Sequence, residues 1–383
     1  MNPPEYILYG LPHSLYSGIV RCYLRTQGLA YQERTTAHPD FLQKVVPVVG
    51  RRMIPVLETP EGELIQDSLD IVTFLDATGV PYPAFPASPL QQVIAVLIFY
   101  YGSQVLLRPA MHYRWSYREQ QEGFLQDAFC AATGSDQKGR EAARAIMARM
   151  QSYLPRLGVT PATSHTLENN YTRLLQVLEK HLQNYPYLLG FQPCLADYGL
   201  IGPLFAHLGR DPVPSELMKT QAPQVYRWVE RMTAPGLDRP EYPDSEGLLK
   251  GGQLPESLEP LLQLMAEEAF PELTDKLAFL DAWINQQQPQ DGDQINYPPQ
   301  QRHLGLVETH YCGHPIQVGV APYFLYILNF AEESLAKCSA SQRQEIIDYL
   351  TRQGLDKALP GFRGYRVARK NNREIWQVQG SLD

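Results

Sequence analysis

The first 76 residues alternate between the apolar spacing of strands and that of helices. A short apolar run at Tyr6–Tyr9 predicts a strand. After a turn-rich segment, helical spacing predicts a helix over Ser17–Gln27, closed by Gly28. Weak alternation at residues 31–36 predicts a second strand. Two short apolar runs around a Pro-Glu-Gly turn predict a hairpin at residues 54–66, and an amphipathic segment predicts a helix at residues 68–76. This order predicts an α/β domain.

Two segments rich in proline and glycine interrupt the periodic pattern, at residues 78–89 and 234–256. The first is predicted to be an interdomain linker. Between them the pattern is helical, and after them it predicts a helix, a hairpin and two further helices. The sequence therefore predicts an α/β domain at residues 1–78, an all-α domain at residues 90–233 and an α+β extension at residues 257–383.

The loop before the first helix carries two serines three residues apart, Ser14 and Ser17. A redox protein would place Cys-x-x-Cys at such positions. Because helix N-termini stabilise anions through their N–H groups and dipole, hydroxyls here suit an anionic ligand. Alternatively, Ser17 is only the N-cap of the helix and Ser14 an ordinary loop residue.

Two further features point to a peptide ligand. Pro55 immediately precedes a strand, and a cis bond there would leave the backbone groups of Ile54 to pair with an extended peptide. Asp67 and Ser68 open a helix, where Ser68 could hold a carboxylate and Asp67 an ammonium group. A zwitterion at one end, a backbone-paired middle and a thiol near Ser14 describe glutathione. Ser68 is also expected to be an N-cap, a role compatible with ligand binding, and the alternative for Asp67 is a solvated charge.

The segments "YGLPHSLYSGIVRCYLRTQGLAYQ" and "IPVLETPEGELIQDSLDIVTFLD" resemble the thioredoxin-fold domain of cytosolic glutathione transferases. "LEKHLQNYPYLLGFQPCLADYGLIGPLFAHL" and "APQVYRWVERM" resemble parts of that family's helical domain, so the likeness covers roughly residues 5–233. The resemblance implies an α/β thioredoxin-like domain followed by an all-α glutathione transferase C-terminal domain. It also implies a homodimer.

The resemblance assigns roles position by position. It places the catalytic serine at Ser14 and the second position of glutaredoxin-like loops at Ser17. It makes Ile54 and Pro55 the cis-proline pair that binds the cysteinyl part of glutathione. It makes Asp67 and Ser68 the pair that binds the γ-glutamyl end.

A serine at position 14 cannot form a mixed disulfide, but its hydroxyl can donate to a thiolate. Lowering a thiol pKa from about 8.5 by about two units takes about 2.7 kcal/mol. One hydrogen bond to a charged group supplies about 1.5–3 kcal/mol, and a helix N-terminus up to about 1–2 kcal/mol. The loop therefore predicts activation of glutathione's thiol and not electron shuttling.

Two segments depart from the family pattern. Arg51 and Arg52 stand where the family often has Gly-Lys; Arg52 is assigned to the glycyl carboxylate of glutathione, and the alternative is a solvated pair. Cys194 replaces the usual capping Ser or Thr, so its capping box with Asp197 is expected to be impaired. Asp197 is expected to start a helix without a catalytic role.

The electrophile pocket is predicted in the segment 99–117, which is crowded with aromatic and basic residues. The assigned pocket residues are Tyr101, His112, Tyr113 and Arg114. The arginine and histidine would suit a polar or anionic co-substrate. Alternatively, some of these aromatic residues simply pack in the core.

Two motifs in the extension have ordinary explanations. His310, Cys312 and His314 alternate as metal ligands on a strand would, but a hairpin turn with incidental side chains is the favoured interpretation, and no metal is expected. The basic segment "RGYRVARKNNR" at residues 363–373 is predicted to be a solvated face or an intramolecular partner for acidic helices.

Composition narrows the setting. A net charge of -8 and a pI near 5.6 argue against broad binding to nucleic acids or acidic membranes. Five scattered cysteines without a Cys-x-x-Cys motif fit a reducing cytosol. The N-terminus lacks the features of a signal peptide, and the longest apolar run looks too short to span a bilayer. We therefore expect a cytoplasmic protein with neither nucleic-acid nor membrane partners.

The leading hypothesis is a glutathione transferase-like enzyme, in which glutathione as co-substrate attacks a small electrophile. The first alternative is a non-catalytic binding or scaffold protein of the same fold. The second is a glutathione-dependent lyase, dehalogenase or isomerase. The extension is expected to lie over the pocket and narrow the choice of substrate.

Overall fold

Four strands form the sheet of the N-terminal region in the computed structural model, which describes residues 5–295, 303–359, 361 and 364–378. The strands are β1 (Tyr6–Tyr9), β2 (Tyr31–Arg34), β3 (Val56–Glu58) and β4 (Leu64–Gln66). In the order β2-β1-β3-β4, β1 runs parallel to β2 and antiparallel to β3, and β3 runs antiparallel to β4. The parallel pair requires a crossover, which α1 (Leu15–Thr26) supplies.

Both faces of this sheet are covered. Leu8 and Leu57 share a core with α1 and with α3 (Ser68–Asp76). Tyr9 and Val56 instead pack against a π-helical turn and the short α2, at Phe41–Val45 and Val46–Val49. This arrangement confirms the α/β thioredoxin-like prediction, including the helix at residues 68–76.

Eight α-helices lie between residues 89 and 233. They are α4 (Pro89–Tyr100), α5 (Leu107–Ser116), α6 (Arg118–Thr133), α7 (Gln137–Gln151), α8 (Pro161–Leu182), α9 (Leu195–Ala206), α10 (Pro212–Gln221) and α11 (Pro223–Thr233). Helix α9 packs against both α1 and α4 and so joins the first two regions. A Cβ atom on Gly199 would lie 2.4 Å from the Cα of Phe99, so this backbone crossing requires glycine. The all-α prediction for this region is confirmed.

The most apolar helical run extends over Pro89–Ser116, because a π-helical turn at Tyr101–Val105 connects α4 to α5. By length and composition this helical run is long enough to cross a membrane, unlike the shorter apolar run seen in the sequence. In the protein 78% of its most apolar window is buried, as in the core helix of a globular domain.

The residues of the C-terminal extension that the structure describes form three α-helices and two antiparallel hairpins. They are α12 (Glu259–Gln287), β5 (Gly305–Tyr311), β6 (His314–Val320), α13 (Tyr323–Ala336), α14 (Ala340–Arg352), β7 (Tyr365–Lys370) and β8 (Arg373–Val378). The first hairpin turns at Cys312 and Gly313, both with positive φ, as a two-residue turn of this kind requires. The sequence predicted this hairpin and the three helices, but not β7 and β8.

One continuous hydrophobic core joins all three regions. It contains Leu8 from the sheet, Val96 from α4, Leu273 from α12 and Trp376 from β8. Helix α13 packs along α4, and the β7–β8 hairpin packs on α13. The extension therefore has the α+β architecture expected of it and packs into the common core. The proposed domain boundaries at residues 78, 90, 233 and 257 stay a prediction.

Candidate functional site

Three loops with predicted ligand-binding residues meet at one edge of the sheet. Tyr9, the last residue of β1, lies opposite Val56, the first residue of β3, and Val56 lies opposite Gln66, the last residue of β4. The segments after Tyr9, before Val56 and after Gln66 therefore leave the sheet side by side. They carry Ser14, Ile54–Pro55 and Asp67–Ser68.

Ser14, and not Ser17, is the N-cap of α1. The Oγ of Ser14 accepts a hydrogen bond from the backbone N–H of Ser17 at 3.3 Å. The interpretation of Ser17 as N-cap was wrong, because the hydroxyl three residues earlier satisfies this N–H group. A hydroxyl that accepts one hydrogen bond can still donate another. The half-buried Ser14 therefore keeps its proton for an anion at the helix N-terminus.

Ser17 lies beneath the loop and is fully buried. Its Oγ accepts from the backbone N–H of Leu11 at 3.4 Å. Gly10 permits this packing, since a Cβ atom there would lie 3.0 Å from the Ser17 Oγ. Ser17 thus fixes the shape of the loop, and its catalytic assignment stays a prediction.

His13 was not predicted to belong to the site. It is buried, and its ring lies 4.2 Å from the ring of Phe129, measured between centroids. Burial, followed by the charge of Arg114, lowers the pKa of His13 to about 3, so the imidazole is neutral at physiological pH. Its carbonyl oxygen accepts from Arg114 Nη1 at 3.1 Å. His13 therefore ties the Ser14 loop to the helical domain; its place beside Ser14 was the only sequence signal.

The Ile54–Pro55 peptide bond is cis, as predicted. Ile54 is half-buried, and no described residue forms a hydrogen bond with its backbone N–H or C=O. Both groups can therefore pair with an extended peptide. The carbonyl of Pro55 accepts from the N–H of Asp67 at 3.4 Å, which connects the second loop to the third.

Asp67 is the N-cap of α3, and Ser68 is the first helical residue. The N-cap interpretation of Ser68 was therefore wrong. Asp67 has φ 100°, which is uncommon outside glycine and often marks a binding site. Its Oδ1 accepts from the N–H of Leu69 at 2.9 Å and from the hydroxyl of Tyr323 at 2.7 Å. These bonds correct the alternative of a merely solvated charge. Ser68 is 2% exposed.

The adjacent arginines before Ile54 are used differently. Arg51 Nη2 donates to Gln66 Oε1 at 3.1 Å and lies 3.4 Å from Glu374 Oε1. Arg52 is exposed and forms no hydrogen bond or ion pair with any residue of the described ranges. Its assignment to the glycyl carboxylate stays a prediction.

The C-terminal extension also reaches this edge of the sheet. Arg369 Nη2 donates to the carbonyl oxygen and to Oε1 of Gln66, both at 2.9 Å, and its Nε donates to Asp70 Oδ2 at 2.6 Å. The side chain of Asn372 donates to the carbonyl of Leu64 at 2.9 Å and accepts from the N–H of Gln66 at 2.7 Å. Asn372 therefore pairs with β4 as a short additional strand would.

These contacts make the basic segment an intramolecular partner of an acidic helix, which was one of the two predictions for it. Arg369 and the hydroxyl of Tyr326 both bind Asp70 on α3. Arg363, at the start of that segment, lies outside the described residues.

Two of the predicted pocket residues are held in the core by charged partners. Arg114 is 2% exposed and binds Asp211 through two hydrogen bonds, of 2.7 and 2.8 Å. It also donates to the carbonyl of Ala206 at 2.7 Å. Tyr101 is fully buried, and its hydroxyl donates to Glu268 of α12 at 2.8 Å.

The other two pocket candidates sit in an aromatic cluster. His112 lies 2.9 Å from Glu168 through its Nε2, and the ring of Tyr113 stacks on that of Tyr117. Both are less than 5% exposed. This placement favours the packing alternative, and the pocket role of all four residues stays a prediction.

The histidines and cysteine of the first hairpin do not form a cluster. Cys312 is exposed in the turn, and His314 Nε2 lies 2.9 Å from the hydroxyl of Thr166. Among the residues that the structure describes, no group of three or more His, Cys, Asp or Glu is arranged to hold a metal ion. The hairpin interpretation is confirmed.

Helix α9 begins with a complete capping box. Asp197 Oδ2 accepts from the N–H of Cys194 at 3.0 Å and from its Sγ at 3.6 Å. The box that was expected to be impaired has both of its hydrogen bonds, because the Sγ of Cys194 also accepts from the backbone N–H of Asp197. Burial raises the pKa of Asp197 to about 6.

Fold and site define a thioredoxin-like domain in which three loops meet at one edge of the sheet, followed by a helical domain. The family model for the glutathione S-transferase N-terminal domain matches residues 8–80, and that for the C-terminal domain matches residues 144–235. Residues 8–80 and 144–235 of the chain therefore belong to the N-terminal and C-terminal glutathione S-transferase domain families. Neither model reaches the extension.

Several solved structures are similar to part of the chain at low sequence identity. The glutathione transferase GSTFuA3 from Phanerochaete chrysosporium is 17% identical with a TM-score of 0.43, over 60% of this chain and 96% of that one. CsGST63524 from Ceriporiopsis subvermispora, in complex with glutathione, gives 17% and 0.42 over 60% and 96%. The beta-etherase LigF from Sphingobium gives 15% and 0.41 over 60% and 95%. No curated protein sequence matches the chain.

Proposed function

We propose that this protein is a glutathione transferase that joins the sulfur of glutathione to the alkyl or aryl group of a small electrophile. The observation that carries the proposal is the convergence of Ser14, the cis Ile54–Pro55 bond and Asp67 on one sheet edge. Ser14 would bind the thiol of glutathione, Ile54 its cysteinyl backbone and Asp67 its γ-glutamyl ammonium group, so the order of the loops matches the order of these groups.

In the proposed complex, glutathione lies across the three loops. Its cysteinyl backbone pairs with the N–H and C=O of Ile54. The γ-glutamyl carboxylate lies at Ser68 and the N-terminus of α3, and the ammonium group binds Asp67. The glycyl carboxylate binds the exposed Arg52.

The chemical step uses the half-buried Ser14. Its Oγ already accepts from Ser17, so its proton is directed away from the helix, toward the ligand. Donation to the sulfur favours thiolate over thiol and lowers the pKa of bound glutathione. The thiolate electron pair then forms the C–S bond while the bond to the leaving group breaks, and the leaving group departs with its electron pair.

The electrophile is proposed to bind near the helical segment that contains Tyr101, His112, Tyr113 and Arg114. No metal takes part in this mechanism. We propose a cytoplasmic location, since all five cysteines are unpaired. A homodimer is proposed on the family resemblance.

The test is a pH titration of the ultraviolet thiolate absorbance of bound glutathione. The wild type should show a thiol pKa about two units below 8.5, and Ser14→Ala should lose most of that shift. The control is Ser339→Ala, because Ser339 caps α14 in the same way far from the site.

Two results would overturn the proposal. If glutathione does not bind, a non-catalytic binding protein with protein partners becomes the better explanation. If glutathione binds as an unshifted thiol in both the wild type and Ser14→Ala, the site holds the peptide without activating it.

A further inference from the structure

The proposed glutathione site includes a residue from the extension. We propose that Tyr323, the first residue of α13, is a positioning residue that orients the Asp67 carboxylate for the ammonium group of the γ-glutamyl moiety. This inference rests on the proposed function and deepens it, because it makes the extension a component of the glutathione site.

The two oxygens of Asp67 have different surroundings. Oδ1 accepts from the N–H of Leu69 at 2.9 Å and from the hydroxyl of Tyr323 at 2.7 Å. No residue of the described ranges donates to Oδ2. Two donors on one oxygen fix the plane of the carboxylate, and the other oxygen is left for a cationic group.

The Tyr323 hydroxyl keeps its proton and so remains a hydrogen-bond donor. Burial, and then the nearby Asp67 carboxylate, raises the pKa of Tyr323 well above its ordinary value. The phenol is therefore protonated across the physiological range, and its proton lies toward Asp67. The strained φ of 100° at Asp67 adds to the need for such support.

The extension is held in place by other contacts as well. Tyr326, one turn later on α13, donates to Asp70, and Arg369 binds both Asp70 and Gln66. Helix α13 also packs along α4. Removing the Tyr323 hydroxyl alone should therefore leave the extension docked.

The geometry favours positioning over competition for Asp67. A competitor would take the place of the ammonium group on Oδ2, the oxygen that has no donor among the described residues. Tyr323 instead shares Oδ1 with the N–H of Leu69 in the first turn of α3. The hydroxyl therefore supports the N-cap geometry that presents Oδ2.

The test compares two peptides by calorimetry: glutathione, and its analogue in which the γ-glutamyl α-amino group is replaced by hydrogen. The wild type should prefer glutathione, because only glutathione has the ammonium group. In Tyr323→Phe that preference should fall roughly tenfold, the usual effect of one hydrogen bond to a charged group. Affinity for the analogue should change little. Tyr326→Phe is the matched control and should keep the wild-type preference.

Each alternative outcome has a distinct meaning. If Tyr323→Phe keeps the full preference, the inference fails while the proposed function stands. Tighter glutathione binding by Tyr323→Phe would identify the hydroxyl as a competitor and overturn positioning. Equal wild-type binding of both peptides would overturn the role of Asp67, and no binding of either would overturn the proposed function together with this inference. The near-ultraviolet circular dichroism of both variants shows that the fold is kept.

Discussion

The sheet edge and the helical segment 99–117 were both predicted to bind substrate, but their polar groups are used differently. At the sheet edge, Ser14 and Asp67 are half-buried, and each keeps hydrogen-bonding capacity beyond its internal partners. In the helical segment, Arg114 is buried and fixed by internal partners. Substitutions at the edge should therefore change chemistry, whereas those in the segment should change stability.

The largest effect is expected from Arg114→Ala, because it leaves Asp211 buried without its partner. Breaking such a pair costs about 3–5 kcal/mol of unfolding free energy, measurable by urea denaturation. Arg118→Ala is the control, since Arg118 pairs with Glu122 at the surface, and it should cost about 0.5 kcal/mol. An Arg114→Ala variant with unchanged stability and lost turnover would instead support the pocket assignment.

Two buried glutamates one turn apart on α12 should affect stability in opposite ways as the pH changes. Burial raises the pKa of Glu268 to about 7. Burial alone would also raise the pKa of Glu272, but Lys276 and Arg108 lower it to about 2. An unfolded glutamate titrates near 4.5. Glu268 therefore contributes stability below pH 4.5 and loses it as the pH rises to 7, whereas Glu272 contributes above pH 4.5 and loses it as the pH falls to 2.

The glutamine variants should reveal these opposite signs. From pH 5 to pH 7, the stability of Glu268→Gln should rise relative to the wild type by about 2 kcal/mol. Glu272→Gln should be less stable than the wild type by about 3 kcal/mol throughout that range. Chemical denaturation at three pH values measures both. Parallel profiles for Glu268→Gln and the wild type would rule out a titrating Glu268.

Ser14→Ala should have a small effect on stability despite its large expected effect on thiol ionisation. Loss of an N-cap costs about 1 kcal/mol. Thermal unfolding without ligand, compared with Ser339→Ala, isolates this cap contribution. A loss of several kcal/mol in Ser14→Ala alone would place Ser14 with the structural residues and break the comparison.

Local pattern was enough to predict most elements and all three loops. The residues at 6–9, 31–34 and 68–76 have the expected structures, because periodicity and turn residues act over short distances. The β7–β8 hairpin was missed because its basic residues suggested a solvated face. Hydrogen bonds between residues far apart in the sequence could not be predicted from local pattern either. Arg114 meets Asp211 across 97 positions and Asp67 meets Tyr323 across 256, and no local signal shows that a polar side chain is already bound.

The smallest effects are expected at the adjacent arginines of the sheet edge, where the comparison can be made within two residues. Arg52 is exposed, so Arg52→Ala should change the unfolding free energy by no more than about 0.5 kcal/mol. Its affinity for glutathione should fall roughly tenfold, but its affinity for the glycinamide analogue should not, because only glutathione has the glycyl carboxylate.

Arg51→Ala should show the converse, a stability loss of about 1 kcal/mol from its contacts with Gln66 and Glu374, with the preference for glutathione kept. If Arg51→Ala loses that preference and Arg52→Ala keeps it, the carboxylate is bound by the arginine that has internal partners. Internal hydrogen bonds would then not mark a residue as structural at this edge.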